Sequence, residues 1–300
     1  MKLKDKDIVC FLGDSITCAG WWEAELFEKV APLGVKVYNC GVSGNTSFTA
    51  FERIYTDCLV YSPTIVCVML GVNDISAGTT NRKSPDIASK IDGFVVRYQD
   101  YLERIILAIL DSGAKVVLCD PPPYFEGEGK YSTIDTGCNC DLDRCRQIIY
   151  QMANKYGLEV IKVNEALMQA SKQKQVSDDR VHPNLYGYKV LAQTVEKFFE
   201  LPVDDSTEFN FSDVNKERFD AEQHYKDICY MEYDVVANYS FRNGVVLDRE
   251  QKLKLASGFV NDSNEYISRT AKVYLNEIDN LDKARGKMVE KTIKMFKAKS

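Results

Sequence analysis

The fold class of this sequence is decided by the stretch Thr64–Leu70, which reads TIVCVML. Every residue after Thr64 is apolar, so a strand built from this stretch has no polar face to turn towards solvent. Strands that are apolar on both faces are typical of parallel sheets that are covered by helices on both sides. The stretch therefore predicts a buried, central parallel strand.

Strands and helices alternate on either side of this stretch over the first 200 residues. Four further strands are predicted, at 7–12, 35–38, 115–119 and 158–161. Helices are predicted at 21–30, 48–59, 91–110, 141–156 and 184–200. This alternation indicates βαβ units, and it therefore predicts a three-layer α/β/α sandwich around a parallel sheet.

The character of the sequence changes after Glu200. Residues 202–213 (PVDDSTEFNFSD) are polar and acidic, so a linker is predicted over 201–214. The strand–helix alternation then stops, and 215–300 is predicted to be an all-helical C-terminal extension, with 1–200 as the α/β domain. Its helical stretches are expected at about 215–238, 248–260 and 262–297. The last carries apolar residues about every 3.5 positions, which is typical of packing between helices. We expect packing within the chain, with a homodimer through these helices as the second option.

The overall composition excludes several classes of protein. The 300-residue chain is 45% hydrophobic and 27% charged, as in globular rather than disordered proteins. Its net charge of -6 argues against a nucleic-acid partner. No apolar run approaches the roughly 18 residues of a membrane span. The first run, Ile8–Leu12, is too short for a signal-peptide core of about 7–15 residues. We therefore expect a cytoplasmic protein.

The ten cysteines are scattered along the chain. Several, such as Cys10 and Cys119, lie inside apolar runs, which indicates reduced and buried thiols. The densest group is Cys138, Cys140 and Cys145. It lacks the paired C-x2-C spacing of common zinc sites and has no histidine nearby, so no metal site is predicted.

Four short polar segments follow strands or precede the last helix of the α/β region. They are Gly13-Asp14-Ser15-Ile16-Thr17, Asn39–Thr46 (NCGVSGNT), Gly71-Val72-Asn73-Asp74 and Asp179–Asn184 (DRVHPN). Ligands of open α/β sheets bind outside the carboxyl ends of the strands, so we expect the four segments to meet at one edge. Alone, each is equally consistent with a turn or a helix cap.

Together the four segments supply the groups that acyl transfer needs. Ser15 offers a hydroxyl nucleophile, and His182, one of only two histidines, offers a base. Asp179 lies three residues upstream of His182, where it can hold the imidazole in the tautomer that accepts a proton from a serine. Asp178 is a competing acid, although the spacing favours Asp179. His224 lies among polar residues of the tail and is expected at the surface.

In this order, the four segments resemble the four sequence blocks of the SGNH (GDSL-type) hydrolases over residues 5–200. The resemblance implies a flavodoxin-like sandwich and a serine esterase that needs no metal or organic cofactor. It implies Ser15 as nucleophile, His182 as general base and Asp179 as the acid that orients it.

The resemblance also implies an oxyanion hole. Its donors are the backbone N–H groups of Ser15 and Gly44 and the side-chain amide of Asn73. Gly41 is the weaker alternative to Gly44, because Gly44 is the glycine that precedes the Asn45-Thr46 pair.

The sequence restricts the substrate less closely than the reaction. Short-chain acyl esters, including O-acetyl groups on carbohydrates, are the expected substrates, and lipase activity is disfavoured because no amphipathic lid pattern adjoins the four blocks. The long loop Pro121–Asn139 is expected to overhang the site. The candidate pocket residues are Asp14, Trp21, Trp22, Tyr124, Phe125 and Tyr131. Core packing is the alternative for the two tryptophans.

Two other functions stay open at this level. One is an acyltransferase that uses the same triad with an acceptor other than water. The other is a non-catalytic interaction protein that acts through its helical tail. The intact set of polar groups argues against the second, because a scaffold has no physical need for them.

Overall fold

The computed structural model describes residues 1–75, 85–125, 138–236, 239, 245–265 and 267–279. The description leaves out residues 126–137 of the predicted loop Pro121–Asn139, and Tyr131 is one of them. It also leaves out residues 280–297 of the predicted third tail helix.

The described residues contain one parallel sheet, as predicted. Its strands are β1 (Ile8–Gly13), β2 (Lys36–Gly41), β3 (Ile65–Met69), β4 (Lys115–Cys119) and β5 (Glu159–Ile161), in the order β2-β1-β3-β4-β5. All residues of β3 are buried, which confirms the interpretation of TIVCVML as a central strand. Gly13 pairs with both Gly41 and Met69, so the carboxyl ends of three neighbouring strands lie side by side.

Helices pack in two groups against the sheet, which gives the predicted sandwich. The helices of the α/β region are α1 (Ser15–Cys18), α2 (Trp21–Val30), α3 (Ser47–Asp57), α4 (Ile87–Ser112), α5 (Cys138–Tyr156), α6 (Val163–Ser171) and α7 (Leu185–Phe198). One group contains α2, α6 and α7, and the other contains α3, α4 and α5. Short 3₁₀ turns lie at Ala31–Leu33, Leu59–Tyr61 and Asn73–Ile75.

Sequence reasoning missed α6, and it placed the starts of α4 and α5 too late, at residues 91 and 141. The start of α6 depends on a cap from elsewhere in the chain, because the backbone N–H of Asn164 donates to Asp120 Oδ1 at 2.9 Å. A cap that comes from another strand leaves no local signal at the helix itself.

The segment predicted as a linker packs against the α/β region. The indole of Trp21 contacts three rings, those of Phe209, Phe211 and Phe219, at centroid distances of 5.2, 6.1 and 5.3 Å. Beside this aromatic cluster, Arg218 lies 3.2 Å from the fully buried carboxylate of Glu23. Residues 209–219 are therefore held on α2 by apolar and by charged contacts. The division of the chain at residues 200 and 215 stays a prediction.

The tail builds a small core of its own. It contains α8 (Asp213–Tyr230), a π-helical turn (Met231–Val236) and α9 (Arg249–Ser257), followed by helical residues 267–279. The buried members of this core are Met231, Ala256, Ala271, Tyr274 and Ile278. Because α9 and the helix at 267–279 both contribute to it, the apolar seam is covered within the chain over the described residues.

None of the described helices combines the length and the apolar composition that a membrane crossing requires.

Candidate active site

Ser15 lies directly after β1, at the first position of α1. The carboxylate of Asp14 caps this helix by accepting the backbone N–H of Ile16 at 3.0 Å. The helix lies so close to β2 that a Cβ added at Gly41 would sit 2.4 Å from the backbone nitrogen of Cys18. A glycine at position 41 is therefore needed to let α1, and Ser15 with it, rest on the strand ends.

The loop before α7 places His182 beside Ser15. Asp179 Oδ1 accepts the backbone N–H groups of Val181 and His182, at 2.9 and 2.7 Å. These two bonds fold the loop tightly, with Arg180 in the left-handed region at φ +72°. The side chains of Asp179 and His182 consequently face each other, three residues apart.

The hydroxyl, the imidazole and the carboxylate form one continuous chain of short contacts. Ser15 Oγ lies 2.8 Å from His182 Nε2, and His182 Nδ1 lies 2.6 Å from Asp179 Oδ2. The side chain of His182 is 43% exposed, so water and substrate can reach it. The competing acid, Asp178, accepts hydrogen bonds from Gln175 and Asn184 instead.

Asp179 and His182 each favour the charged form of the other. Burial disfavours a charged Asp179, but the hydrogen bonds from His182 and from the backbone N–H of Val181 outweigh it and hold the pKa of Asp179 well below its usual range. Burial also disfavours a charged His182, but the hydrogen bond and the charge of Asp179 outweigh it and raise the pKa of His182. An ionised carboxylate at this position stabilises a protonated imidazole.

The three predicted oxyanion donors lie on neighbouring loops. Ser15 is at the first position of α1, where a backbone N–H has no partner within the helix. Gly44 has φ +79°, a left-handed conformation that glycine adopts without strain. The amide of Asn73 donates to the carbonyl oxygen of Asn45 at 3.0 Å, which fixes the plane of the amide next to the Gly44 turn.

Sequence reasoning missed a buried polar layer beneath these loops. Its main members are Asn45, Ser47, Arg53 and Asp74, all 0 to 3% exposed. The signal for Arg53 was available, because it lies on the same face of α3 as the apolar residues Ala50 and Ile54. A charged residue on the buried stripe of a helix needs buried partners.

Three of the predicted pocket residues are buried. Asp14, Trp22 and Tyr124 are 2, 1 and 3% exposed, so they present almost no surface to a substrate. Trp22 packs in the core, edge-to-face on Phe11 at 4.6 Å. The hydroxyl of Tyr124 donates to the carbonyl of Val72 at 2.7 Å, which ties the loop after β4 to the Asn73 loop.

The other candidate pocket residues have different surroundings. Trp21 is half-buried and covered by the aromatic cluster of the tail. Phe125 is half-buried, and its backbone N–H donates to the carbonyl of Arg180 at 2.9 Å, so it lies beside the histidine loop and its pocket role stays a prediction. Tyr131 lies outside the described residues, and so does the side chain of His224.

Among the residues that the structure describes, one group has the proximity that a shared metal ion requires. It consists of Cys10, Cys40 and Cys58, whose sulfur atoms lie within 4.8 Å of one another. All three thiols are buried, and burial raises the pKa of Cys10 well above its ordinary value. Burial therefore favours the neutral form of Cys10 as long as no metal ion is bound. The described residues Cys138, Cys140 and Cys145 do not form such a group.

Comparisons with known proteins identify the family of this chain. Residues 11–190 match the sequence model of the "GDSL-like Lipase/Acylhydrolase family". An acetylxylan esterase of Geobacillus stearothermophilus is 25% identical over 215 residues, which are 64% of this chain and 94% of that protein. An acetylxylan esterase of Xylanibacter ruminicola is 26% identical over 54% of this chain and 35% of its own length.

Solved structures show the same fold. Axe2, an acetylxylan esterase from Geobacillus stearothermophilus, superposes with a TM-score of 0.57 at 21% identity, over 69% of this chain and 100% of Axe2. BT4096, a gut microbial diltiazem-metabolizing enzyme, superposes with a TM-score of 0.73 at 14% identity, over 99% of this chain and 96% of its own. The second match includes the helical tail, which the family match over 11–190 does not reach. This chain belongs to the GDSL-like lipase/acylhydrolase family and is a carboxylic ester hydrolase.

Proposed function

We propose that this enzyme removes O-acetyl groups from carbohydrates, with Ser15 as its nucleophile. The observation that carries the proposal is the unbroken chain of contacts from Ser15 Oγ to His182 Nε2, at 2.8 Å, and from His182 Nδ1 to Asp179, at 2.6 Å. A nucleophile, a base and an orienting acid within hydrogen-bond reach are the arrangement that acyl transfer to a serine requires.

In the first half-reaction, Ser15 Oγ attacks the acetyl carbonyl carbon while His182 Nε2 takes the hydroxyl proton. The negative charge that develops on the carbonyl oxygen is stabilised by the backbone N–H groups of Ser15 and Gly44 and by the amide of Asn73. The bond between the acetyl carbon and the sugar oxygen then breaks, and His182 gives its proton to that oxygen, so that the sugar leaves as a free alcohol. Ser15 is left acetylated.

In the second half-reaction, His182 takes a proton from water, and the hydroxide attacks the acetyl-enzyme at the same carbonyl carbon. Collapse of this second tetrahedral intermediate returns the proton to Ser15 Oγ and releases acetate. The 43% exposure of the His182 side chain supports water as the acceptor. Asp179 stays ionised throughout and stabilises the imidazolium in both half-reactions.

The acetyl-carbohydrate substrate is proposed from two kinds of support. Two relatives with sequence similarity are acetylxylan esterases, and one of them is matched over 94% of its length. The three oxyanion donors and Ser15 are chemically suited to any small acyl ester, so the site itself supports the reaction class, and the relatives support the alcohol part of the substrate.

The test is hydrolysis of acetylated xylooligosaccharides and of p-nitrophenyl esters with acyl chains of increasing length, measured as acid released. We expect the highest kcat/KM for acetyl esters and a loss of roughly 10⁶ in kcat for Ser15→Ala. Ser171→Ala in α6 is the matched control, because its hydroxyl donates to the Met168 carbonyl within its own helix. Wild-type activity in a folded Ser15→Ala variant would contradict the assignment of the nucleophile. A preference for long acyl chains would contradict the proposed substrate.

A further inference from the structure

Asp74 is a buried carboxylate immediately after Asn73, and the proposed reaction gives it no role. Asp74 is 3% exposed. Oδ1 accepts the backbone N–H of Ser47 at 3.0 Å and the Ser47 hydroxyl at 2.5 Å, and Oδ2 lies 3.1 Å from the same N–H. One carboxylate therefore connects the 3₁₀ turn that carries Asn73 to the first residue of α3.

A residue further along α3, Arg53, also holds the Gly44 turn. Asn45, which follows Gly44, accepts the amide of Asn73 at its carbonyl oxygen. Its side-chain oxygen accepts Arg53 Nε at 2.6 Å, and Arg53 Nη2 donates to the carbonyl of Gly13 at 3.2 Å. The loops that carry Ser15, Gly44 and Asn73 are thus joined by hydrogen bonds between buried groups.

The physical reason for such a layer is preorganisation. Oxyanion donors lower a reaction barrier only when they already point at the position where charge develops, because reorientation during the reaction would consume the gain. A carboxylate removed from water is costly unless hydrogen bonds compensate it. Here both Ser47 donors converge on Asp74, and the bonds of a charged acceptor are shorter and stronger than those of a neutral one. The hydrogen bonds from Ser47 to Asp74 therefore connect the Asn73 turn rigidly to the start of α3.

We propose that Asp74 is a positioning residue that holds the amide of Asn73 and the Gly44 turn in the geometry of the oxyanion hole. This inference rests on the proposed function, because it assigns Asn73 and Gly44 as oxyanion donors. Asp74 touches neither the substrate nor Ser15 in this role, and its effect reaches the reaction through Asn73 and through the start of α3.

The test compares Asp74→Asn and Ser47→Ala with Asp120→Asn in the full-length chain. Asp120 is a matched control, because it is also a buried carboxylate at the end of a strand and also binds the first turn of a helix, through the N–H of Asn164. The measurements are kcat and KM for p-nitrophenyl acetate and the inhibition constant of a simple alkylboronic acid. Boronic acids form a tetrahedral adduct on an active serine, so their affinity reports the state of the oxyanion hole.

For Asp74→Asn, we expect kcat to fall by roughly tenfold to a hundredfold, somewhat less than the 10²–10³ that follows removal of a donor itself. KM should change little, and the boronic acid should bind more weakly by a similar factor. Ser47→Ala keeps the backbone N–H and loses one hydrogen bond, so a fall of roughly threefold to tenfold is expected. Asp120→Asn should keep both kcat and boronic-acid affinity.

Unchanged kcat and boronic-acid affinity in both Asp74→Asn and Ser47→Ala would overturn the proposal. A lower melting temperature with unchanged kinetics would overturn it as well, because Asp74 would then support folding alone. If Asp74→Asn does not fold, Ser47→Ala decides the question by itself. Failure of the proposed function is recognised separately, by activity that survives Ser15→Ala.

Discussion

The imidazole of His182 is influenced by two carboxylates. Asp179 binds its Nδ1 directly and raises the pKa of His182 above its ordinary 6.5, and the buried Asp14 adds a smaller effect in the same direction when it is ionised. Only the neutral imidazole can take a proton from Ser15. The local charges therefore make His182 a stronger base and move its working range to higher pH.

We expect kcat/KM to rise with pH through a midpoint above 6.5, because the proposed mechanism needs neutral His182 and the pKa of His182 is raised. In Asp179→Asn, the midpoint should move to lower pH, and kcat should fall by roughly 10⁴, as when the acid of a serine triad is made neutral. The measurement is a pH–rate profile with p-nitrophenyl acetate. Asp178→Asn is the matched control and should keep the wild-type midpoint. A profile that is flat between pH 5 and 8 would exclude His182 as the base.

The free energy of unfolding should also depend on pH, through the buried Asp14. Burial raises its pKa from 3.8 to about 7 in the folded protein, so the folded state holds a proton that the unfolded state releases. The corresponding stability is present at pH 4 and is lost as the pH rises through about 7. Asp14→Asn mimics the neutral acid and keeps an oxygen to accept the N–H of Ile16.

Asp14→Asn should therefore increase the free energy of unfolding relative to wild type more at pH 8 than at pH 5. Urea unfolding of both proteins at the two pH values measures this difference. Asp213→Asn, at a side chain that is 96% exposed, should show no such pH dependence. An equal effect of Asp14→Asn at both pH values would contradict a buried, protonated Asp14.

At the scale of elements, the contact between α1 and the end of β2 sets the position of Ser15. This four-residue helix carries Ser15 at its first position, and it lies against Gly41 with no room for a methyl group. Small changes at the base of α1 should therefore move the nucleophile relative to His182, which is held by a different loop.

Gly41→Ala should lower kcat/KM and cost roughly 1–3 kcal/mol of stability, because overpacking forces the backbone to shift. Gly93→Ala is the matched control. It lies within α4, and an added Cβ there meets no atom within 4 Å. It should leave activity unchanged and stabilise the protein by up to about 1 kcal/mol, since alanine is the better helix former. Thermal melting and ester hydrolysis measure both effects. Full activity in Gly41→Ala would show that α1 tolerates displacement.

At the scale of the whole molecule, the tail and the α/β region share buried charges. Glu23 is fully buried on α2 and pairs with Arg218 of α8 at 3.2 Å. Removing one member of such a pair leaves the other charge in the interior without compensation, which is costlier than removing both. The pair therefore couples the stability of α2 to the docking of the tail.

Arg218→Gln should lower the free energy of unfolding by up to roughly 3 kcal/mol, because the buried Glu23 loses the neighbouring charge of Arg218. The double variant Glu23→Gln/Arg218→Gln should recover a large part of this loss. Urea unfolding of the four proteins in the cycle gives the coupling energy. Additive effects of the two substitutions would show that the pair contributes nothing to docking. The exposed pair of Arg104 and Asp100 offers a matched cycle, in which the coupling should be about 0.5 kcal/mol or less.

Much of this molecule could be predicted from local patterns. The strands β1, β3 and β4 were predictable because each is largely an apolar run between turn residues, and burial on both faces of a strand requires apolar residues on both. The meeting of Ser15 and His182, 167 positions apart, was predictable as well. Parallel strands joined by crossovers place all their carboxyl ends at one edge, so the order of the segments was enough to bring them together.

Other features were decided only by the tertiary structure. The cap of α6 comes from Asp120, the burial of Trp22 depends on Phe11, and the anchor of residues 209–219 depends on Trp21 and Glu23. In each case the residue's role is set by a partner that is distant in the chain, and a local pattern contains no information about that partner. The sequence by itself therefore determined which groups meet at the sheet edge. Packing between distant segments decided which side chains are buried, and how firmly the reacting groups are held.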